Sequence, residues 1–230
     1  FRASLTPPDL AKSLDLSDVE NQVVELHFAI AKAGERHYQA KPIVVSGTTG
    51  LLTFESDRLG ATMGKNSITS AGGDDLYPIR LQAWGQDDGE ITPVQFSADI
   101  TFTGGKGYLL QGADGCAPCC DGLGTLYYSI PGITLDPDAS TLTIDGNTVT
   151  LKEGTFWFDH QWGMLSSVGN TEVIRAANNL TAAGPGGWDW FMAQFNGSRE
   201  ITAYALHTND YLQFYHQTGQ NPPGTMTVRI

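Results

Sequence analysis

Gly154-Thr-Phe-Trp-Phe-Asp-His-Gln-Trp-Gly163 decides how this chain is read, together with Gly187-Trp-Asp-Trp-Phe191 downstream. Read as an extended strand, the first stretch puts Thr155, Trp157 and Asp159 on one face and Phe156, Phe158 and His160 on the other. Four of the five tryptophans lie in these two segments, more aromatic density than a core of this size requires. A carboxylic acid held among aromatic faces can stay protonated and act as a proton donor near neutral pH. The other reading of the same residues is a packed strand whose aspartate caps or pairs locally.

Outward from this stretch, the pattern is strand, turn, strand. Apolar residues alternate with polar ones, or run together briefly, over Val23 to Ile30, Lys41 to Val45, Gly50 to Glu55, Pro78 to Trp84, Val94 to Phe102 and Tyr108 to Gln111. Thr125 to Ile130, Ser140 to Ile144 and Thr148 to Leu151 continue the series, and Asp145-Gly146 between two of them is a strong hairpin signal. Only Pro8 to Asp18 and Ser166 to Ala177 read as helical or irregular. Ser17-Asp-Val-Glu20 resembles a capping box, although the Val-rich run after it argues for a strand. Residues 166–187, with Gly169, Asn178-Asn179 and Gly184-Pro-Gly-Gly187, read as a linker between a first domain of residues 1–165 and a second of residues 188–230. Many short antiparallel strands joined by tight turns imply an all-β sandwich or closed barrel, and a barrel of about eight strands encloses one small ligand.

Charge narrows the partners. With 25 acidic against 13 basic residues and a net charge of −12, the chain offers no basic surface for a nucleic acid. No apolar run approaches the roughly 20 residues of a membrane-spanning helix, so no transmembrane segment is expected. The balance favours an apolar or neutral small molecule as partner. The chain opens on Phe1 without an initiator Met, so its N-terminus reads as mature, processed or incomplete. Sequons at Asn179 and Asn196, the second at the tip of an expected hairpin, tilt the reading towards a secreted glycoprotein. Cys116, Cys119 and Cys120 suit a short-loop disulfide between Cys116 and one of the other two. A structural zinc site needs about four ligands and no second cysteine pair is present, so no metal is expected. Asp136 and Asp138 supply too few carboxylates for calcium and read as a solvated turn. His27 reads as a satisfied strand histidine, and His207 and His216 have no Ser or Asp at the spacing of a hydrolase triad.

Asp159-His-Gln-Trp-Gly163, Gly187-Trp-Asp-Trp-Phe191, Tyr127-Tyr-Ser-Ile-Pro131 and His27-Phe-Ala29 occur in an order that resembles the AttH-like and carotenoid 1,2-hydratase superfamily, which includes fungal kievitone hydratase. The resemblance implies two consecutive lipocalin-like (calycin) antiparallel β-barrels, of which this chain would hold most of the first and part of the second. Gln161 stands where that pattern has Glu, and the Cys116 to Cys120 segment is foreign to it. In the carotenoid hydratases the aspartate matching Asp159 is thought to protonate the alkene, which makes Asp159 the expected general acid.

Hydration of an isolated alkene is limited by proton transfer to carbon, which leaves a tertiary carbocation. The protein must supply an acid, stabilise the cation and admit one water, and no cofactor is required. Trp157 shares the face of Asp159, and Trp190, Tyr128 and Trp188 are the further rings expected to line the substrate pocket. His160, on the opposite face, is expected to be structural. The alternatives are a Diels-Alderase-like pericyclase or isomerase that folds a polyene without proton transfer, and a non-enzymatic lipocalin-like carrier of an apolar molecule.

Overall fold

The alternation of apolar and polar residues favours extended segments, and strands make up nearly all of the regular structure. The structure, a computed structural model, describes residues 2–4, 6, 8–31, 33–73, 75–89, 92–112, 114–120, 123–163, 185–196, 199–208 and 225–229. In chain order they form β1 (Arg2–Ser4), α1 (Pro8–Ser13), β2 (Gln22–Leu26), β3 (Ala29–Ala31), β4 (His37–Gln39), β5 (Ile43–Ser46), β6 (Leu52–Phe54), β7 (Gly60–Met63), β8 (Asn66–Thr69), β9 (Ile79–Asp87) and β10 (Val94–Gly104). There follow β11 (Leu109–Leu110), β12 (Cys116–Cys120), β13 (Leu123–Ile144), β14 (Asn147–Val149), β15 (Thr155–Gly163), β16 (Pro185–Phe195), β17 (Arg199–Thr208) and β18 (Thr225–Arg229). The described registers are antiparallel, and the fold is all-β as the sequence predicts. Among the described residues no helix is long and apolar enough to cross a membrane.

The chain divides into two compact units, Phe1–Gly104 with Thr134–Thr155, and Gly105–Ile133 with Phe156–Ile230. The sequence suggests domains in simple chain order, whereas these units interleave, β13 giving its first half to one and its second half to the other. Most of the expected linker, residues 166–184, lies outside the described residues.

In the first unit the core follows from the two-residue period of β9 and β10. Phe96, Ala98 and Phe102 are buried on one face of β10 and lie opposite Gly85, Ala83 and Ile79 of β9. Gly85 makes room for an aromatic ring. A Cβ there would stand 2.8 Å from Ala40 Cβ and 3.0 Å from the tip of Phe96, so only glycine lets Phe96 settle against Phe28, centroid to centroid 4.9 Å. On the other face, Arg80 Nε and Nη2 donate to the Asp99 carboxylate at 2.7 and 2.6 Å, and Gln82 adds a third bond at 3.1 Å. These donors hold the Asp99 carboxyl below the usual carboxylate range, the Arg80 bond contributing most. Because the pair is partly exposed, it adds little to stability compared with the Phe96 core.

The strands differ from the sequence reading in two places. Thr125–Ile130 and Ser140–Ile144 read as separate strands because Pro131, Gly132 and Pro137 stand between them, yet β13 runs through both. The register with β10 slips between Asp99 and Thr101 and again between Phe102 and Gly104, and the Thr101 N–H is met by Ser140 Oγ at 2.9 Å. A bulge of this kind tolerates proline, which has no N–H to leave unpaired. Conversely, the single strand expected over Val23 to Ile30 is split at His27-Phe28 into β2 and β3.

Local signals were legible where chemistry is short-ranged. Ser17 and Glu20 exchange bonds, Ser17 N–H donating to Glu20 Oε2 at 2.9 Å and Glu20 N–H to Ser17 Oγ at 3.2 Å, so the capping box closes a turn that leads into β2. Asp145 and Gly146 both take positive φ, 51° and 74°, as the tight hairpin between β13 and β14 requires. Asp136 and Asp138, expected in a solvated turn, instead lie within β13, where Asp136 Oδ1 accepts from the N–H groups of Asp138 and Ala139 at the slip in register with β10. His27 is exposed and pairs with Glu25 at 2.9 Å.

Replacing Phe96 with Ala removes a ring that is 1% exposed, and the expected loss is about 3–5 kcal/mol of unfolding free energy. Urea denaturation checks this. A loss below about 1 kcal/mol would show that the β9–β10 face is not the core of its unit.

Candidate active site

The candidate site is built in the second unit from β13 and β15, which pair with each other. Adjacent residues on a strand face opposite ways, so the two strands make two distinct surfaces. One carries Tyr127 and Ser129 of β13 with Trp157 and Asp159 of β15. The other carries Tyr128 with Phe158, His160 and Trp162.

On the first surface a hydrogen-bond chain converges on Asp159. Gln111, just after β11, is held by its backbone N–H on Tyr127 O at 3.1 Å, and its side-chain Nε2 donates to Ser129 Oγ at 2.9 Å. Both residues are fully buried. A serine hydroxyl has one proton to give. Since Ser129 accepts from Gln111, its own proton points to Asp159 Oδ1, 2.5 Å away. The same Oδ1 accepts from Trp157 Nε1 at 2.8 Å, two residues back along the strand face. No Lys, Arg or His among the described residues forms an ion pair with Asp159. As a whole residue Asp159 is exposed.

Tyr127 is the second polar group on this surface. Its hydroxyl accepts from Trp190 Nε1 at 3.0 Å, which ties β16 to β13. Burial pushes the phenol far above its ordinary value, and the Asp159 charge and a hydrogen bond to it push in the same direction. Tyr127 is therefore a neutral donor facing the carboxyl group. Leaving a buried polar atom of this kind without a partner costs about 1–3 kcal/mol, which is why these side chains constrain one another.

The second surface is aromatic. The Tyr128 ring stands edge-on to His160 at 5.3 Å and to Trp162 at 5.9 Å, and His160 lies 4.7 Å from Trp162. Tyr108 closes edge-on against Tyr128 at 5.2 Å. Tyr128 OH lies 3.2 Å from His160 Nδ1. Burial raises the Tyr128 phenol and lowers the His160 imidazole, so both groups are kept neutral, and the imidazole tautomer sets which of them donates.

The structure thus brings Trp157 and Asp159 into contact and puts Trp190 on their surface through Tyr127. Tyr128, expected beside Asp159, faces the other way, because it is one residue out of step with Ser129 and its place is taken by Tyr127. The side chains of Trp188, Cys116, Cys119 and Cys120 lie outside the described residues, as do Asn179 and His216 and the side chain of His207. Asn196 is exposed at the end of β16, although Gly197 and Ser198 of its sequon are outside the described residues. The sequence alone does not mark Gln111, Tyr127 or Ser129 as site residues. Tyr127 and Ser129 sit within the Tyr127-Tyr-Ser129 motif, where parity alone distinguishes them from Tyr128, and nothing in the sequence marks Gln111.

The described strands make an antiparallel all-β protein, and one sheet surface of its second unit carries a carboxyl group bonded to an indole N–H. The AttH-like family profile matches residues 1–227, and the chain belongs to that family. Among solved structures it is similar to an AttH-type protein from Nitrosomonas europaea, with a TM-score of 0.58 and 16% sequence identity. That similarity covers 92% of this chain and 55% of the other, so the chain spans about half the length of its structural relative. No curated protein matches it in sequence.

His160 yields a pH test. Its ordinary value is 6.5 and burial lowers it, so as pH falls the unfolded chain takes up this proton before the folded one. Stability from this group is full above about 6.5 and is lost as pH falls through the lower folded value. The imidazole Hε1 resonance is expected to titrate below 6.5; a midpoint at or above that value would contradict the packing described.

Proposed function

We propose that this chain is a cofactor-independent hydro-lyase that adds water to a prenyl or isoprenoid alkene of an apolar natural product, with Asp159 as the general acid. One observation carries the reading: Asp159 Oδ1 is oriented by two neutral donors, Trp157 at 2.8 Å and Ser129 at 2.5 Å, with no ion-paired cation among the described residues. A lysine or arginine partner would hold the group as a carboxylate and spoil it as an acid. Neutral donors orient the carboxyl group without supplying a full positive charge.

Asp159 gives its proton to one alkene carbon, the π bond becomes a C–H bond, and the other carbon is left as a tertiary cation. Water adds through oxygen to form the C–O bond, and its surplus proton returns to the Asp159 carboxylate. Trp157, fixed to the acid by its indole N–H, offers its ring to the cation, worth roughly 0.5–2 kcal/mol at such contacts. Tyr127 stays neutral beside the carboxyl and does not compete as an acid. Membership of the AttH-like family supports the reading at the level of fold and ancestry. We further take the protein to be secreted, on the sequons at Asn179 and Asn196.

A second reading is favoured by the exposure of Trp190, 40% of whose surface meets solvent. A non-enzymatic carrier would use that ring and Trp157 to hold an apolar ligand without chemistry.

Asp159→Asn keeps the shape and the acceptor oxygen but removes the proton. Hydration of a dimethylallyl-substituted phenol or an acyclic isoprenoid alkene, followed as gain of one water by mass spectrometry, should fall by about 10²–10⁴-fold. Binding, followed by tryptophan quenching, should persist. Full turnover by the Asn variant would remove Asp159 as the acid, and binding by the wild type without product from any alkene would favour the carrier.

A further inference from the structure

Gln111 is 0% exposed, yet its side-chain carbonyl Oε1 has no hydrogen-bond partner among the described residues. Its amide end is already committed, because Nε2 donates to Ser129 Oγ at 2.9 Å and Ser129 donates to Asp159 Oδ1 at 2.5 Å. Turning the amide over does not relieve the misfit. Oε1 would then take the serine proton, and the 2.5 Å approach to Asp159 Oδ1 would join two acceptors, since the carboxyl proton that serves the alkene belongs on the other oxygen, Oδ2. The arrangement with Nε2 on Ser129 is therefore the one that keeps Asp159 Oδ1 an acceptor, and it leaves a buried acceptor one serine away from the acid.

Buried acceptors are met in native proteins, by protein groups, ordered water or ligand. An apolar side chain of similar length would fill the same space at Gln111 with no unmet atom. The choice of an amide here points to a partner that brings an O–H group.

We propose that Gln111 Oε1 is a binding site for an O–H donor, either the water that adds to the alkene or a hydroxyl of the ligand, and that Gln111 is a positioning residue for Asp159. The site itself stands on geometry, and the fate of a bound water rests on the hydro-lyase reading. In that reading the water gives one hydrogen bond to Oε1 and its lone pair to the cation. The resulting oxonium passes a proton to Ser129 Oγ as Ser129 passes its own to the Asp159 carboxylate. The C–O bond is formed, Asp159 is again an acid, and Ser129 and Gln111 are unchanged.

A high-resolution crystal structure of the wild-type chain, alone and soaked with a dimethylallyl-substituted phenol, tests the site directly. Solvent density at hydrogen-bonding distance from Oε1 in the unsoaked crystal identifies water, and its replacement by the phenol oxygen identifies a ligand hydroxyl. Density at Oε1 in neither crystal overturns the site. Gln111→Met removes the acceptor while keeping length, so its melting temperature should be no lower than that of the wild type. Its kcat for hydration should fall by about 10²-fold with little change in KM, as expected when a reactant is misplaced. Gln111→Glu, which restores an acceptor oxygen, should recover at least about tenfold of that loss. A Met variant with wild-type kcat overturns the positioning role, since a glutamine with only a structural part would alter melting and leave kcat alone. If the wild type hydrates no alkene while density stands at Oε1, the hydro-lyase reading falls and the site remains. If it hydrates and Oε1 is bare, the reverse holds.

Discussion

The strict alternation of side chains along β13 and β15 is the constraint on which the rest of the site depends. Two residues apart, Trp157 and Asp159 share a surface closely enough for the indole N–H to reach the carboxyl at 2.8 Å. One residue apart, Asp159 and His160 are separated by the sheet itself. The same rule on β13 sends Tyr127 and Ser129 to the acid and Tyr128 to the histidine. A slip of one residue in β15 would exchange its two surfaces and place a neutral imidazole where the carboxyl now stands.

That separation has an electrostatic consequence. Beside Asp159 stand a serine, an indole and a phenol that burial keeps neutral, so its immediate hydrogen-bond partners are dipoles and not opposing charges. On the far surface His160 is likewise kept neutral by its aromatic surroundings. Charge pairs are found elsewhere in each unit, Arg80 with Asp99 joining β9 to β10 and Lys106 with Glu200 joining the bend after β10 to β17. The acidic surplus of the chain, net −12, is therefore largely a matter of solvated surface, and it gives no account of the site.

The fold was legible where the physics is local. Two-residue alternation in β9 and β10, the Asp145-Gly146 turn and the Ser17 to Glu20 box all depend on neighbours in sequence, and each is found as its residues suggest. Continuity of β13 was not legible, because Pro131 and Pro137 read as breaks and only pairing with a slipped register on β10 lets Pro137 remain within the strand. The interleaving of the two units was hidden for the same reason, since it follows from which halves of β13 find partners where.

Sequence by itself determined that the chain is all-β, that Trp157 and Asp159 share a face, and that its motifs align with the AttH-like family. These follow from periods and spacings that no distant contact can alter. Tertiary structure alone decided which of two adjacent tyrosines meets the acid, and that Ser129 and a buried Gln111 stand behind it. Strand pairing sets those choices, and pairing joins residues tens of positions apart, so no local pattern could carry them. The aspartate that organised the reading of the sequence thus gained from the fold the hydroxyl, the indole and the amide that give it a direction.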